Sequence, residues 1–190
     1  MSLPLIALSL LLSSASAAPP APPADASPAD TPALDWIRGC LGDARSETAV
    51  ADCTGRWANA CQTRAERMPT VGITGCLADE RDAWEALRLE VHDRLLVSAA
   101  SYDVDLRPGN PSVRDALVAA KAAWEAFRKA QCDYEYAEYA EGTMRGPVGV
   151  GCDLRLTAAR YDALVQHGWH QNHFTSFRDA RVEPARPAGE

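Results

Sequence analysis

Three groups of residues in this chain have types and spacings that could do chemistry. Six cysteines stand at Cys40, Cys53, Cys61, Cys76, Cys132 and Cys152. Their thiols could oxidise in pairs or hold a metal. A structural zinc site wants close cysteine pairs of the C-x-x-C kind, and the sequence has none. His167, His170 and His173 recur at every third residue in HGWHQNH. On a continuous helix two of them could chelate a metal, which makes them minor candidates. Gly168 and Asn172 disfavour that helix, and no carboxylate stands among them. The third group lies in CDYEYAEYAE, where Asp133, Glu135, Glu138 and Glu141 alternate with Tyr134, Tyr136 and Tyr139. Tyrosine is enriched at protein interfaces, and carboxylates complement a basic partner. Tyr134, Glu135, Glu138, Tyr139 and Glu141 are therefore the candidate partner-binding residues.

Nothing points to catalysis. Glu80, Glu85 and Glu90 fall on one expected helix, where they read as a solvated face. A working carboxylate pair needs a cleft and opposed pKa values. Serine-nucleophile, phosphate-loop and dinucleotide motifs are absent from the sequence. The expectation is a protein that is not an enzyme, with no catalytic residue and no cofactor.

The chain that must position these groups has a formal net charge of −7. Nucleic acids and anionic membranes favour basic patches, so the charge argues against both and suits a basic protein partner. Residues 1–17 read as a signal peptide, with a short apolar run from Leu3 to Leu12 and a cleavage site at Ala15-Ser16-Ala17. The run is too short to span a bilayer, so a periplasmic or secreted protein without membrane insertion is expected after cleavage. Residues 18–32 are rich in proline and alanine and read as a disordered tether, and residues 179–190 as a frayed tail. An even cysteine count behind an export signal points to three disulfides. The remaining length suffices for a real core, so the disulfides should reinforce that core rather than replace it.

The fold class expected is all-α, because alternating β-branched runs are absent and Ala, Leu, Arg and Glu dominate. A first helix covers about Pro32 to Ala44. Ser46 caps a second, with Glu47 in its first turn, and this helix runs on to about Arg67 before Met68-Pro69 ends it. Residues 70–75 read as a loop. A third helix runs from about Gly75 to Ser98 with Leu77, Trp84, Leu87, Val91 and Leu95 on one stripe. Ser112 caps a fourth, with Asp115 as its capping-box partner. Val113, Leu117, Ala120, Trp124 and Phe127 form its stripe, which should face the third helix across an antiparallel hairpin. Gly142 to Gly151 read as a glycine-rich loop, and Thr157 as the cap of a last helix reaching about His167. Residues 33–75 would form a cysteine-rich helical hairpin, and 76–178 the main helical domain.

On this arrangement Cys53 and Cys61 lie about 12 Å apart along one intact helix, too far to bond. Cys40 and Cys53 flank one turn, Cys61 and Cys76 flank the 70–75 region, and Cys132 and Cys152 flank the glycine loop. Pairing in sequence order, Cys40–Cys53, Cys61–Cys76 and Cys132–Cys152, is the simplest solution, and the connectivity of the first four stays open. Loops of about 13 to 20 residues would each contribute roughly 3 kcal/mol.

The stretch from Cys76 to about Leu164 resembles the LprI-type lysozyme-inhibitor domain of bacterial exported proteins. The matching pieces are Cys76-Leu77-Ala78-Asp79-Glu80, Trp84-Glu85, Ala122-Ala123-Trp124, Arg128, Cys132, Cys152 and Leu156-Thr157-Ala158-Ala159-Arg160. Cys53-Thr54-Gly55, Cys61 and Gly72-Ile73-Thr74-Gly75-Cys76 resemble the cysteine-rich extension of some such proteins. Arg88, Leu89, His92 and Lys121 depart from the pattern, as does Lys129 after Arg128. The resemblance implies a binding protein of the envelope whose protein partner is a lysozyme, many of which are basic, blocked at its substrate cleft. The alternatives are an envelope structural or adaptor module with no lysozyme target, and a metal-binding protein using the histidine-rich segment.

Overall fold

The computed structural model describes residues 31–43 and 49–171. The segments read as signal peptide and tail, most of that read as a tether, the expected cap at Ser46, and His173 lie outside the described residues. Six α-helices follow in order: α1 Ala33–Asp43, α2 Ala49–Cys53, α3 Arg56–Gln62, α4 Thr70–Asp103, α5 Val113–Glu138 and α6 Arg145–His170. A 3-10 turn, Ala65–Arg67, lies between α3 and α4. No strand occurs among the described residues, and no helix there is long and apolar enough to cross a membrane.

α4 is the axis of the molecule. Its 34 residues pack against α1, α3, α5 and α6. Trp84, Leu87, Val91 and Leu95 are buried as the stripe requires, while Leu77 is only partly buried. They meet Leu154, Ala158, Tyr161, Leu164 and Val165 of α6 in one apolar core that also takes in Ile37 and Leu41 of α1 and Trp57 of α3. The Trp84 and Tyr161 rings lie 5.5 Å apart at the centre.

The N-terminal hairpin has a broken second arm. Thr54-Gly55 interrupts the expected single helix, and Gly55 takes a left-handed φ of 80° that glycine adopts without strain. The break leaves the N-terminus of α3 with unsatisfied N–H groups. Glu80, expected on a solvated face, is fully buried and reaches across from α4 to cap them. It accepts from Gly55 N at 2.6 Å, Ala58 N at 2.7 Å and Trp84 Nε1 at 3.1 Å. Glu85 and Glu90 are not freely solvated either. Glu90 pairs with Arg38 of α1, tying the hairpin to α4 a second time.

Two segments that read as loops are helical. Residues 70–75 form the first turns of α4 after Pro69. Glycine and β-branched residues are poor helix formers, but tertiary packing overrides that here. A Cβ on Gly72 would stand 2.6 Å from the Arg67 Cα, so only glycine lets the 3-10 turn cross the helix. Gly146, Gly149 and Gly151 likewise lie within α6, whose start precedes Thr157 by three turns. A Cβ on Gly149 would meet the Tyr136 ring at 3.1 Å, and one on Gly146 the Thr74 Oγ1 at 3.1 Å. These glycines serve close helix approach rather than a turn.

Disulfides join Cys40 to Cys53, Cys61 to Cys76 and Cys132 to Cys152, with Cα separations of 6.1, 5.8 and 5.5 Å. The premise that Cys53 and Cys61 share one intact helix fails at Gly55, although the two are not bonded to each other.

Glu80→Gln should lower stability by about 2–3 kcal/mol, because the amide keeps one acceptor and turns a donor toward α3 N–H groups. Thermal unfolding of the oxidised protein reads this directly. A melting temperature equal to that of the parent would refute the capping role.

Candidate functional site

α5 begins with a local cap. Ser112 Oγ accepts from Asp115 N at 3.0 Å and donates to Asp103 Oδ2 at 2.7 Å. Asp103, ending α4, also accepts from Val113 N and Arg114 N. Ser112 and these amides hold its carboxyl below the usual range.

The inner side of α5 is polar. Its stripe does not face α4 as the hairpin pattern implies: Val113, Ala120 and Phe127 are exposed, and Phe127 is 54% accessible. Leu117 and Trp124 turn partly inward, and Cys132 is the one buried residue of the helix. The reason lies at Trp124. The Arg88 and Arg128 guanidiniums each stand 4.8 Å from its ring, and that of Arg160 stands 5.9 Å away. These arginines come from α4, α5 and α6, so one indole is the meeting point of three helices.

Carboxylates thread between the guanidiniums. Arg88 donates to Glu85 at 2.6 and 2.8 Å and to Glu125 at 3.2 Å. Arg128 donates to Glu85 and to Thr157 Oγ1, each at 3.0 Å, and pairs with Asp153 at 3.5 Å. Lys121 donates to Glu125 at 2.6 Å. Burial opposes charge on Glu85, but Arg88 and Arg128 outweigh it and hold the carboxyl below its ordinary value. The Lys121 hydrogen bond does the same for Glu125. Burial also opposes the Arg88 cation, which Glu85 and Glu125 overcome. Among the described residues no carboxylate pairs with Arg160, and burial and the neighbouring Arg88 both disfavour its charge. Arg160 Nε and His92 Nε2 are buried without hydrogen-bond partners among the described residues. Burial pushes the His92 pKa down against an opposing pull from Asp93.

The acidic end of α5 differs from this layer. Tyr134, Glu138, Tyr139 and Glu141 are exposed together there. Tyr134 donates to Glu138 at 2.7 Å, and this bond raises the tyrosine pKa. Glu135 is set apart, half-buried and bound by Gln131 and by Arg155 of α6 at 2.8 Å. Burial opposes its charge, but those two donors hold its pKa low. Tyr136 lies against Gly149 and under the Arg145 guanidinium, 5.6 Å from the ring. Together with the Cys132–Cys152 bond, these contacts fix the end of α5 to the start of α6. A groove lined by Glu125, Arg128, Lys129, Cys132, Asp133 and Asp153 runs beside it.

His167 and His170 lie on the last turn of α6, His170 edge-on to Trp169, and His173 is outside the described residues. Among the described residues no group of three His, Cys, Asp or Glu side chains could hold a metal.

The Trp124 layer was not read from the sequence, although local signals for it exist. Glu85 and Arg88 stand three residues apart, Trp124 and Arg128 four apart, and both spacings place side chains in contact on a helix. Nothing local tells that the two pairs meet.

Acid should loosen α5 in two steps. An unfolded histidine titrates at about 6.5. The contribution of neutral His92 is therefore full above that pH and falls as the pH drops toward its lower folded pKa. The contribution of Glu85 is full above the ordinary carboxyl range and is lost as the pH falls through its lowered folded pKa. His92→Leu should flatten the first step in melting temperature against pH. Glu85→Gln should remove the second. At neutral pH it should cost about 2 kcal/mol, less than the ~3–5 of a fully buried pair because water screens part of this carboxylate.

A family model described as "Lysozyme inhibitor LprI" matches residues 61–164, which include α4, α5 and nearly all of the α6 packing face. A Rhodobacter capsulatus protein described as an uncharacterized 17.7 kDa protein in the puhA 5' region is 23% identical over 135 residues, covering 69% of this chain and 83% of its own. No solved structure matches the chain.

Proposed function

We propose, since the chain belongs to the lysozyme inhibitor LprI family, that it acts outside the cytoplasm by binding a protein rather than by catalysing a reaction. Three disulfides among the described residues suit an oxidising compartment, and the short apolar run near the N-terminus suits export.

The observation that carries a contact site is the exposure of Tyr134, Glu138, Tyr139 and Glu141 on one braced helix end. Rigid tyrosines supply large contact area at low entropic cost, and a pinned end loses little freedom on binding. The carboxylates steer a basic partner and speed its encounter. A basic lysozyme fits that description, and occupation of its substrate cleft would block the two carboxylates that do its chemistry. Glu135, already bound by Arg155 and Gln131, supports the scaffold and is not a contact group in this reading.

A turbidity assay with a basic c-type lysozyme and the purified oxidised protein tests this. Inhibition at micromolar protein is expected, weakening with salt. Glu138→Lys with Glu141→Lys should reduce the association rate roughly tenfold or more while leaving helicity unchanged. Absence of inhibition by the folded parent protein would favour the adaptor alternative. Inhibition untouched by the double reversal would move the contact away from this end of α5.

A further inference from the structure

One cation of the Trp124 layer is unmatched. Arg88 has Glu85 and Glu125, Arg128 has Glu85 and Asp153, and Lys121 has Glu125. Arg160 lies over the Trp124 ring at 5.9 Å and makes no hydrogen bond or ion pair with any described residue. The net charge of the chain is −7, so acids are not scarce. They are simply not placed to reach this side chain. A partner on the same helix would stand three or four residues away, and those positions hold Leu156, Thr157, Ala163 and Leu164.

The free edge of the side chain can be identified. An aromatic ring engages the face of a guanidinium and leaves its in-plane N–H groups unsatisfied. Nε is buried without a partner. The residue as a whole is only partly buried, so the two Nη groups, also without partners among the described residues, are the edge that reaches solvent. Two Nη groups of a planar fork match the two oxygens of a carboxylate.

We propose that the Nη edge of Arg160 is a binding site for the carboxylate of an external ligand, a monoanion carried on an apolar body. One negative charge is what the layer lacks. Arg88, Arg128, Arg160 and Lys121 face Glu85, Glu125 and Asp153, four cations against three carboxylates. A phosphate dianion would bring a second charge toward Glu85 and Glu125, which repel it. Burial and Arg88 both oppose the lone Arg160 cation, and a bound carboxylate removes that opposition. The apolar body follows from what lies one helical turn away. Ala120 and Phe127 flank Trp124 on α5, Ala163 follows Arg160 on α6, and all three are exposed and uncharged. Free carboxylic acids and peptide carboxyl termini share this chemistry. The site uses none of Tyr134, Glu138, Tyr139 and Glu141, and it does not rest on the lysozyme reading.

Nitrogen–proton NMR of the oxidised full chain tests the site. The Arg160 Nε–H is sheltered and gives a separate cross-peak, identified by its loss in Arg160→Lys. Phenylpropanoate and acetyl-Ala-Ala-Phe, each with a free carboxylate, should shift that peak saturably at roughly millimolar concentration, as expected of one charge-assisted fork at a partly exposed position. Tighter binding of the peptide assigns the site to a chain terminus, and tighter binding of the free acid assigns it to a small molecule. The peptide amide and inorganic phosphate should leave the peak in place. In variants the backbone amides around Arg160 report binding. Arg160→Lys keeps the charge but loses the fork, and should bind roughly tenfold more weakly or worse. Arg160→Leu should lose binding and stay folded, because it removes an unmatched cation. A parent chain that ignores both probes overturns the proposal, including the case in which Asp179→Asn with Glu183→Gln then allows binding. Equal shifts with the amide, or binding kept in Arg160→Leu, also overturn it.

Discussion

Three guanidiniums converge on the ring of Trp124, and this convergence determines how α5 is held. Taking charges out of water is expensive, and Arg88 is 1% exposed. Glu85, Glu125 and Asp153 offset that penalty by pairing, and the indole adds about 0.5–2 kcal/mol per well-placed cation. The layer leaves one imbalance. Among the described residues Arg160 has the ring but no paired carboxylate, and Arg88 repels it. A helix attached in this way follows the geometry of hydrogen bonds rather than the direction of its apolar stripe. α5 is accordingly turned so that Arg128, Glu125 and Lys121 face α4 and α6. Phe127 and the alanines face water.

Apolar burial contributes little to anchoring α5, and the disulfide takes over part of that task. Cys132 is the one buried residue of the helix, and its bond closes a 20-residue loop. In the chain-entropy account such a loop is worth roughly 3 kcal/mol. The sequence argument that a chain of this length needs disulfides only as reinforcement holds for α1, α4 and α6, which share a continuous core. It fails for α5, where the cystine stands in for core. The other two bonds act at the opposite end of α4, where Glu80 already fastens α3 and Glu90 fastens α1.

What could be read in advance was local. Ser112 was legible as a cap because a cap is written within four residues, and the limits of α1 and the stripe of α4 follow from spacing alone. The pairing of cysteines in sequence order was legible as the shortest closures. The errors share one cause. Gly72, Gly146 and Gly149 looked like turn residues, but each is small because another element passes close to it. Glu80 looked solvated because its partners, the N–H groups of Gly55 and Ala58, belong to a helix break more than twenty residues away. Within the acidic and tyrosine-rich segment, composition could not separate Glu135, which binds Arg155, from Glu138 and Glu141, which face solvent.

The departures from the family pattern gain meaning in three dimensions. Arg88 and Lys121 meet between α4 and α5, where they share Glu125, whereas Leu89 and Lys129 are exposed. Placing two cations there demands counter-charges, and Glu85 and Glu125 supply them. It also fixes which way α5 can turn. The positions that weaken a resemblance based on residue identity therefore govern the orientation of the helix whose far end carries Tyr134, Glu138, Tyr139 and Glu141. The charge balance around Trp124 holds the middle of α5, while Cys132–Cys152 and the packing of Tyr136 on Gly149 hold its end.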